Sequence, residues 1–160
     1  MQSLLFTRRV FLAGLTASVI VGDPQHAGAQ SLPKVIVTKD PSCGCCSAWA
    51  DHIRAAGFSI ETRETSDINR FKVRQGVPRA LFSCHTADVG GYVIEGHVPA
   101  QAIKRLLAER PQAKGLAVPG MPAGSPGMDV EGIAPDTYDV VLFGPLGVST
   151  FARYRGGQVL

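Results

Sequence analysis

Lys34-Val35-Ile36-Val37-Thr38-Lys39-Asp40-Pro41-Ser42-Cys43-Gly44-Cys45-Cys46 is the stretch on which the fold turns. Its first half is a β-branched apolar run, the signature of a short buried strand. Asp40-Pro41-Ser42 interrupts that run, and either Asp40 or Ser42 can cap a following helix. From about Cys43 to Ala56 the apolar positions Cys46, Trp49, Ile53 and Ala56 recur at helical spacing, until Gly57 stops them. Phe58-Ser59-Ile60-Glu61-Thr62 then alternates apolar and polar residues, as a second strand does. Strand, helix and strand within about thirty residues form a βαβ unit with parallel strands.

Working outward, Asp67 to Gln75 reads as a short helix ended by Gly76. A third strand is expected over Arg79 to Cys84 after Val77-Pro78, with Ala87 to Gly91 as a turn and Tyr92-Val93-Ile94 as a fourth, antiparallel strand. Pro99 opens a helix that buries Ile103, Leu106 and Leu107 and stops before Pro111. Between Gly115 and Pro135 the chain becomes rich in glycine and proline and carries Met121 and Met128, so a long, functional loop is expected there. Tyr138 to Phe143 and Ser149 to Tyr154, around Gly144-Pro145-Leu146-Gly147, predict a closing hairpin. The order β-α-β-α-β-β-α predicts an α/β protein with a thioredoxin-like mixed sheet flanked by helices. Pro78 is a candidate cis proline there, with a trans, strand-opening proline as the alternative.

All four cysteines, Cys43, Cys45, Cys46 and Cys84, lie beyond the first 29 residues. Cys43 and Cys46 are one helical turn apart at a helix start, where free N–H groups and the helix dipole favour thiolate over thiol. That suits a redox pair, with Cys43 as nucleophile and Cys46 as resolving thiol. It suits a soft-metal site equally, and Cys45 tips the balance, because a redox pair needs only two sulfurs. Two structural disulfides are the remaining reading, but three cysteines crowded into four residues make poor staples.

Soft thiolates select Cu(I), zinc or iron–sulfur centres, and thioether with thiolate points to Cu(I) over zinc. Met121 and Met128 are therefore weaker candidate ligands, with gap-filling packing as an equal alternative. Cys84, ending the expected third strand, is a candidate fourth sulfur. His97, at a strand-to-helix junction, is a candidate ligand. Neighbours in a strand face opposite ways, so His85 joins Cys84 at one site only if the strand ends between them. His52 reads as a surface residue.

Residues 1–29 resemble an export leader. Thr7-Arg8-Arg9-Val10-Phe11-Leu12 precedes a short apolar run, and Ala27-Gly28-Ala29 forms a small-residue cleavage site, with cleavage expected after Ala29. The arginine pair is similar to a twin-arginine signal. This predicts a periplasmic protein in which residues 30–160 are a single domain, not inserted in the membrane once the leader is removed. The chain's net charge of +3 is too small and dispersed to predict a nucleic-acid surface.

Taken together, Asp40-Pro41-Ser42-Cys43-Gly44-Cys45-Cys46, Gly76-Val77-Pro78, Ser83-Cys84-His85-Thr86, Tyr92 to Pro99 and Pro119 to Met128 resemble the CopG-type copper-resistance proteins, a thioredoxin-like family long catalogued as a domain of unknown function. The resemblance implies a periplasmic copper-binding protein in copper resistance or copper redox cycling. By position it implies Cys43, Cys45, Cys46, Cys84 and His97 as copper ligands, with His85 as an alternative to His97. The partners it implies are copper ions and other periplasmic copper-handling proteins.

Overall fold

A computed structural model describes residues 31–160, and the expected leader over residues 1–29 lies outside the described residues. The elements are β1 (Val35–Lys39), α1 (Gly44–Ala55), β2 (Ile60–Glu64), α2 (Ile68–Arg74), β3 (His85–Val89), β4 (Tyr92–Glu95), α3 (Ala100–Glu109), β5 (Gly115–Ala117), β6 (Thr137–Gly144), β7 (Gly147–Arg155) and β8 (Gln158–Val159). They build one mixed eight-stranded sheet in the order β2-β1-β3-β4-β5-β6-β7-β8. β1 and β2 are parallel, as the βαβ reading requires, and β3 runs antiparallel to both β1 and β4. The expected α/β class, mixed sheet and terminal hairpin are present.

Strand alternation sorts the side chains onto two faces. Val35, Val37, Ala87, Val89, Tyr92, Ile94 and Leu116 point toward α1 and α3 and share a core with Trp49, Ile53, Ile103 and Leu106. Val93 and Ala117 point the other way, where Val77, Leu81 and Phe143 cover them. Burying each large side chain contributes about 1.5–3 kcal/mol. The second face also holds a buried ion pair, Lys72 on α2 with Glu95 on β4, at 2.6 Å and with both side chains fully covered. Removing one partner of such a pair costs about 3–5 kcal/mol, because it strands a buried charge.

The structure differs from the sequence reading in three places. Arg79–Leu81 is a single 3-10 turn rather than a strand, and the third strand begins at His85, so Ala87 to Val89 are strand and only Gly90-Gly91 turns. No cis peptide occurs among the described residues, so Pro78 is trans and opens the 3-10 turn with φ −61°. Gly115–Ala117, expected within the loop, is a buried strand pairing β4 with β6, and β8 adds a short edge.

These registers gather one end of the sheet. β1 exits into α1 at Lys39, whose register partner is His85 at the start of β3. Thr86 pairs with Glu95 at the end of β4, and Glu95 pairs with Ala117 at the end of β5. The start of α1, the 83–85 segment, the 96–98 turn and the loop after β5 therefore meet there.

Candidate metal centre

Cys43 is the N-cap residue of α1, with extended backbone (φ −77°, ψ 97°), so Gly44, Cys45 and Cys46 form the first helical turn. Asp40 shapes the approach by accepting hydrogen bonds from the Ser42 amide and hydroxyl. Cys43 and Cys46 are joined as a disulfide, their Cα atoms 5.6 Å apart, while Cys45 and Cys84 are free and partly exposed. Cys45 Sγ lies 3.6 Å from Cys43 Sγ. The four sulfurs, Cys84 included, all fall within 4.8 Å of one another.

Cys84 belongs to a second cluster as well. Its sulfur, His85 and His97 each offer an atom within 4.8 Å of the others. Cys84 Sγ is 2.8 Å from His97 Nε2 and 3.2 Å from His85 Nδ1. His85 was expected to stand apart from Cys84 unless the strand ended between them. β3 begins at His85, so Cys84 is free of the strand's alternation and both side chains reach the centre.

The His97 tautomer follows from its partners. Nδ1 lies 2.7 Å from the Pro126 carbonyl oxygen, which can only accept, so Nδ1 carries the proton and Nε2 turns its lone pair to the sulfur. A histidine that donates one nitrogen to a backbone carbonyl and frees the other is arranged as metal-ligating histidines are. His85 packs its ring 4.3 Å from that of Trp49, and its Nε2 is, among the described residues, the buried side-chain polar atom without a hydrogen-bond partner. Trp49 is itself fixed by donating to the Val98 carbonyl at 2.9 Å.

Burial drives the electrostatics. It holds the His85 pKa well below the usual imidazole value, helped by His97 and Lys72, and lowers that of His97 as well. Both rings are thus neutral, with lone pairs available. Burial first, then the Cys45 sulfur, pushes the Cys84 thiol up to about 12. Cys84 therefore holds its proton more tightly than a helix-tip thiol, and a bound cation favours its release. An unpartnered buried nitrogen, neutral imidazoles and clustered sulfurs fit a soft metal ion.

The loop after β5 closes over this cluster. Gly127 (φ +82°) packs so tightly on α1 that a Cβ there would lie 2.6 Å from the Trp49 backbone nitrogen and 3.1 Å from the Cys45 carbonyl oxygen. Met128 is partly buried in this loop, whereas Met121 is 55% exposed and lines a cleft with Phe82, Ser83, Cys84 and Gly120. His52, expected to be a plain surface residue, accepts a hydrogen bond from the Ala100 amide at 3.2 Å and so ties α1 to the start of α3. Sequence reasoning missed Lys72, Glu95 and Trp49 as neighbours of the centre. The one legible signal was an acidic residue, Glu95, continuing the apolar run of β4.

A family model described as "Protein of unknown function, DUF411" matches residues 81–128, which hold Cys84, His85, His97 and the closing loop. No curated protein matches the chain. Among solved structures, "Copper resistance protein copG- Form 2" is 42% identical, covering 77% of this chain and 98% of its own, with a TM-score of 0.72. "Copper resistance protein copG- Form 1" is 42% identical as well, with the same TM-score, covering 78% of this chain and 99% of its own. An identity that high, sustained over nearly the whole of a solved relative, makes this chain a member of the CopG copper-resistance family.

Proposed function

We propose that this protein binds copper in the periplasm through Cys43, Cys45, Cys46, Cys84 and His97, with His85 adjoining, and serves copper resistance or copper redox cycling. The observation that carries the reading is the position of Cys84, whose sulfur belongs both to the four-sulfur group and to the Cys–His–His group. Sulfur-rich sites with imidazole favour Cu(I), and copper's two accessible oxidation states would account for redox cycling. Zinc is the weaker candidate, since a closed tetrahedral zinc site would leave Met121 at the cleft mouth without purpose. Met121, exposed beside Cys84, is suited to meet incoming copper, and Met128 to shield it. The twin-arginine-type leader supports export.

The chain's own residues supply the binding steps. Once an external dithiol reductant has delivered two electrons and two protons to the Cys43–Cys46 bridge and become a disulfide itself, both sulfurs are available. Copper then displaces the thiol protons, that of Cys84 included, into solvent, and His97, already deprotonated at Nε2, needs no change of state. Pro126 and Trp49 hold the ring frame while this happens.

A second reading, a thiol–disulfide oxidoreductase using Cys43 and Cys46, is favoured by the bridge between them. It gives no role to Cys45, Cys84 or His97. Elemental analysis of protein purified from the periplasm without added metal separates the two. Copper in the parent, and its loss in Cys45→Ser and Cys84→Ser, is the expected result; metal-free parent protein whose reductase activity depends on Cys43 and Cys46 alone overturns it.

A further inference from the structure

Beneath the metal centre, on the opposite face of the sheet, lies a polar cluster that touches neither the disulfide nor the histidines. Lys72 Nζ donates to Glu95 Oε1 at 2.6 Å and to Thr86 Oγ1 at 3.1 Å, and Thr86 donates in turn to Glu95 Oε2 at 2.7 Å. Lys72, Glu95 and Thr86 are all fully buried. Glu95 Oε1 also accepts the Ser83 backbone N–H at 2.6 Å, the amide immediately ahead of Cys84. The ammonium further sits 5.9 Å from the centre of the Phe82 ring, on the residue before that.

We propose that Lys72 and Glu95 are positioning residues for the metal centre, anchoring the Ser83 amide so that the Cys84 sulfur meets both the helix-tip cysteines and His97. The proposal rests on the copper-binding reading. Three observations carry it. Residues 82–84 lie outside any helix or strand, after the 3-10 turn and before β3, so no backbone ladder fixes them. Phe82 donates its N–H to the Arg79 carbonyl of the 3-10 turn, but the next amide, that of Ser83, is held by the charge-assisted bond to Glu95, while the Ser83 hydroxyl bonds the Gly120 carbonyl. And a buried ion pair adds little stability over an apolar pair of the same volume, so its distinctive contribution is direction: Lys72 and Thr86 orient the carboxylate, and the carboxylate orients the amide.

The test compares two double variants that both remove the charges. K72M/E95Q keeps an amide oxygen able to accept the Ser83 N–H, and K72M/E95L does not. With the disulfide reduced, Cu(I) affinity is read by competition with bicinchoninate. K72M/E95L is expected to bind about 10–100-fold more weakly than the parent, the range for loss of groups that orient ligands, and K72M/E95Q to recover most of that loss. Equal affinities in the two variants overturn the proposal. Should K72M/E95L not fold, Ser83→Pro removes the N–H together with the hydroxyl, the extended Phe82 ahead of it being compatible with proline, and Ser83→Ala, which removes the hydroxyl but keeps the N–H, is its control. Weakened binding in the proline variant but not the alanine variant is then the expected result.

A readout without metal keeps this claim separate from the copper reading. In a Cys45→Ser background with Cys43 and Cys46 bridged, Cys84 is the sole thiol, and its alkylation by iodoacetamide reports how firmly it is held. Faster alkylation in K72M/E95L than in K72M/E95Q, at matched thermal stability, supports the anchor, and equal rates overturn it. Parent protein that takes up no Cu(I) while this difference persists would sink the copper reading and leave the anchor standing.

Discussion

The Cys84 sulfur lies 2.8 Å from Nε2 of His97, whose other ring nitrogen donates to the Pro126 carbonyl. The imidazole is thereby held in one tautomer with its lone pair on the sulfur's side. Substituting His97 by alanine should weaken Cu(I) binding while leaving the disulfide intact. His97→Asn, which retains a donor for the Pro126 carbonyl but lacks Nε2, should not restore it. Recovery in the asparagine variant would mean that His97 acts only by holding the loop.

Gly127 brings the closing loop into close approach with α1. Any side chain there meets the Trp49 backbone nitrogen and must adopt φ near +82°. Gly127→Ala should lower stability by about 1–3 kcal/mol, since left-handed backbone strain adds to the overlap. Because Pro126 precedes it, Cu(I) affinity should fall as well. Denaturant unfolding with and without copper measures both, and a variant of parental stability would show that the loop stands clear of the helix.

His52 makes stability depend on pH. Its Nε2 accepts from the Ala100 amide only while neutral, and burial lowers its pKa below the ordinary 6.5. The folded form therefore disfavours the proton. The contribution is complete above the unfolded pKa of 6.5 and is lost as pH falls through the lower folded value. His52→Ala should cost about 0.5–1.5 kcal/mol at pH 8, the worth of one hydrogen bond, and less at pH 5. Urea unfolding at the two pH values checks this, and a cost independent of pH would remove the hydrogen bond from the account.

Much of this architecture was legible in the sequence, for identifiable reasons. The β-branched run at Val35–Val37, the short helical segment from Asp67 to Gln75 and the Ile103–Leu106 stripe are local signals, and each element forms within a few residues of its expected place. Gly115–Ala117 was hidden because three small or apolar residues carry no period, and what makes them a strand is non-local pairing to both β4 and β6. The third strand begins later than its sequence suggests because Ala80 to Phe82 look more strand-like than His85 to Asp88, although the latter carry the ladder to β1. That displacement also sets His85 apart from Cys84, since a strand running across Cys84 sends the two side chains to opposite faces. The cysteine cluster was readable from its spacing. The Lys72–Glu95 anchor was not, because charged residues 23 positions apart give no local sign of being buried together.

X-ray absorption at the copper edge of the reduced, Cu(I)-loaded protein tests the central claim most directly. The account predicts a sulfur-dominated shell with a nitrogen contribution, and loss of sulfur in Cys84→Ser and of nitrogen in His97→Ala. A copper shell unchanged by both substitutions would contradict it.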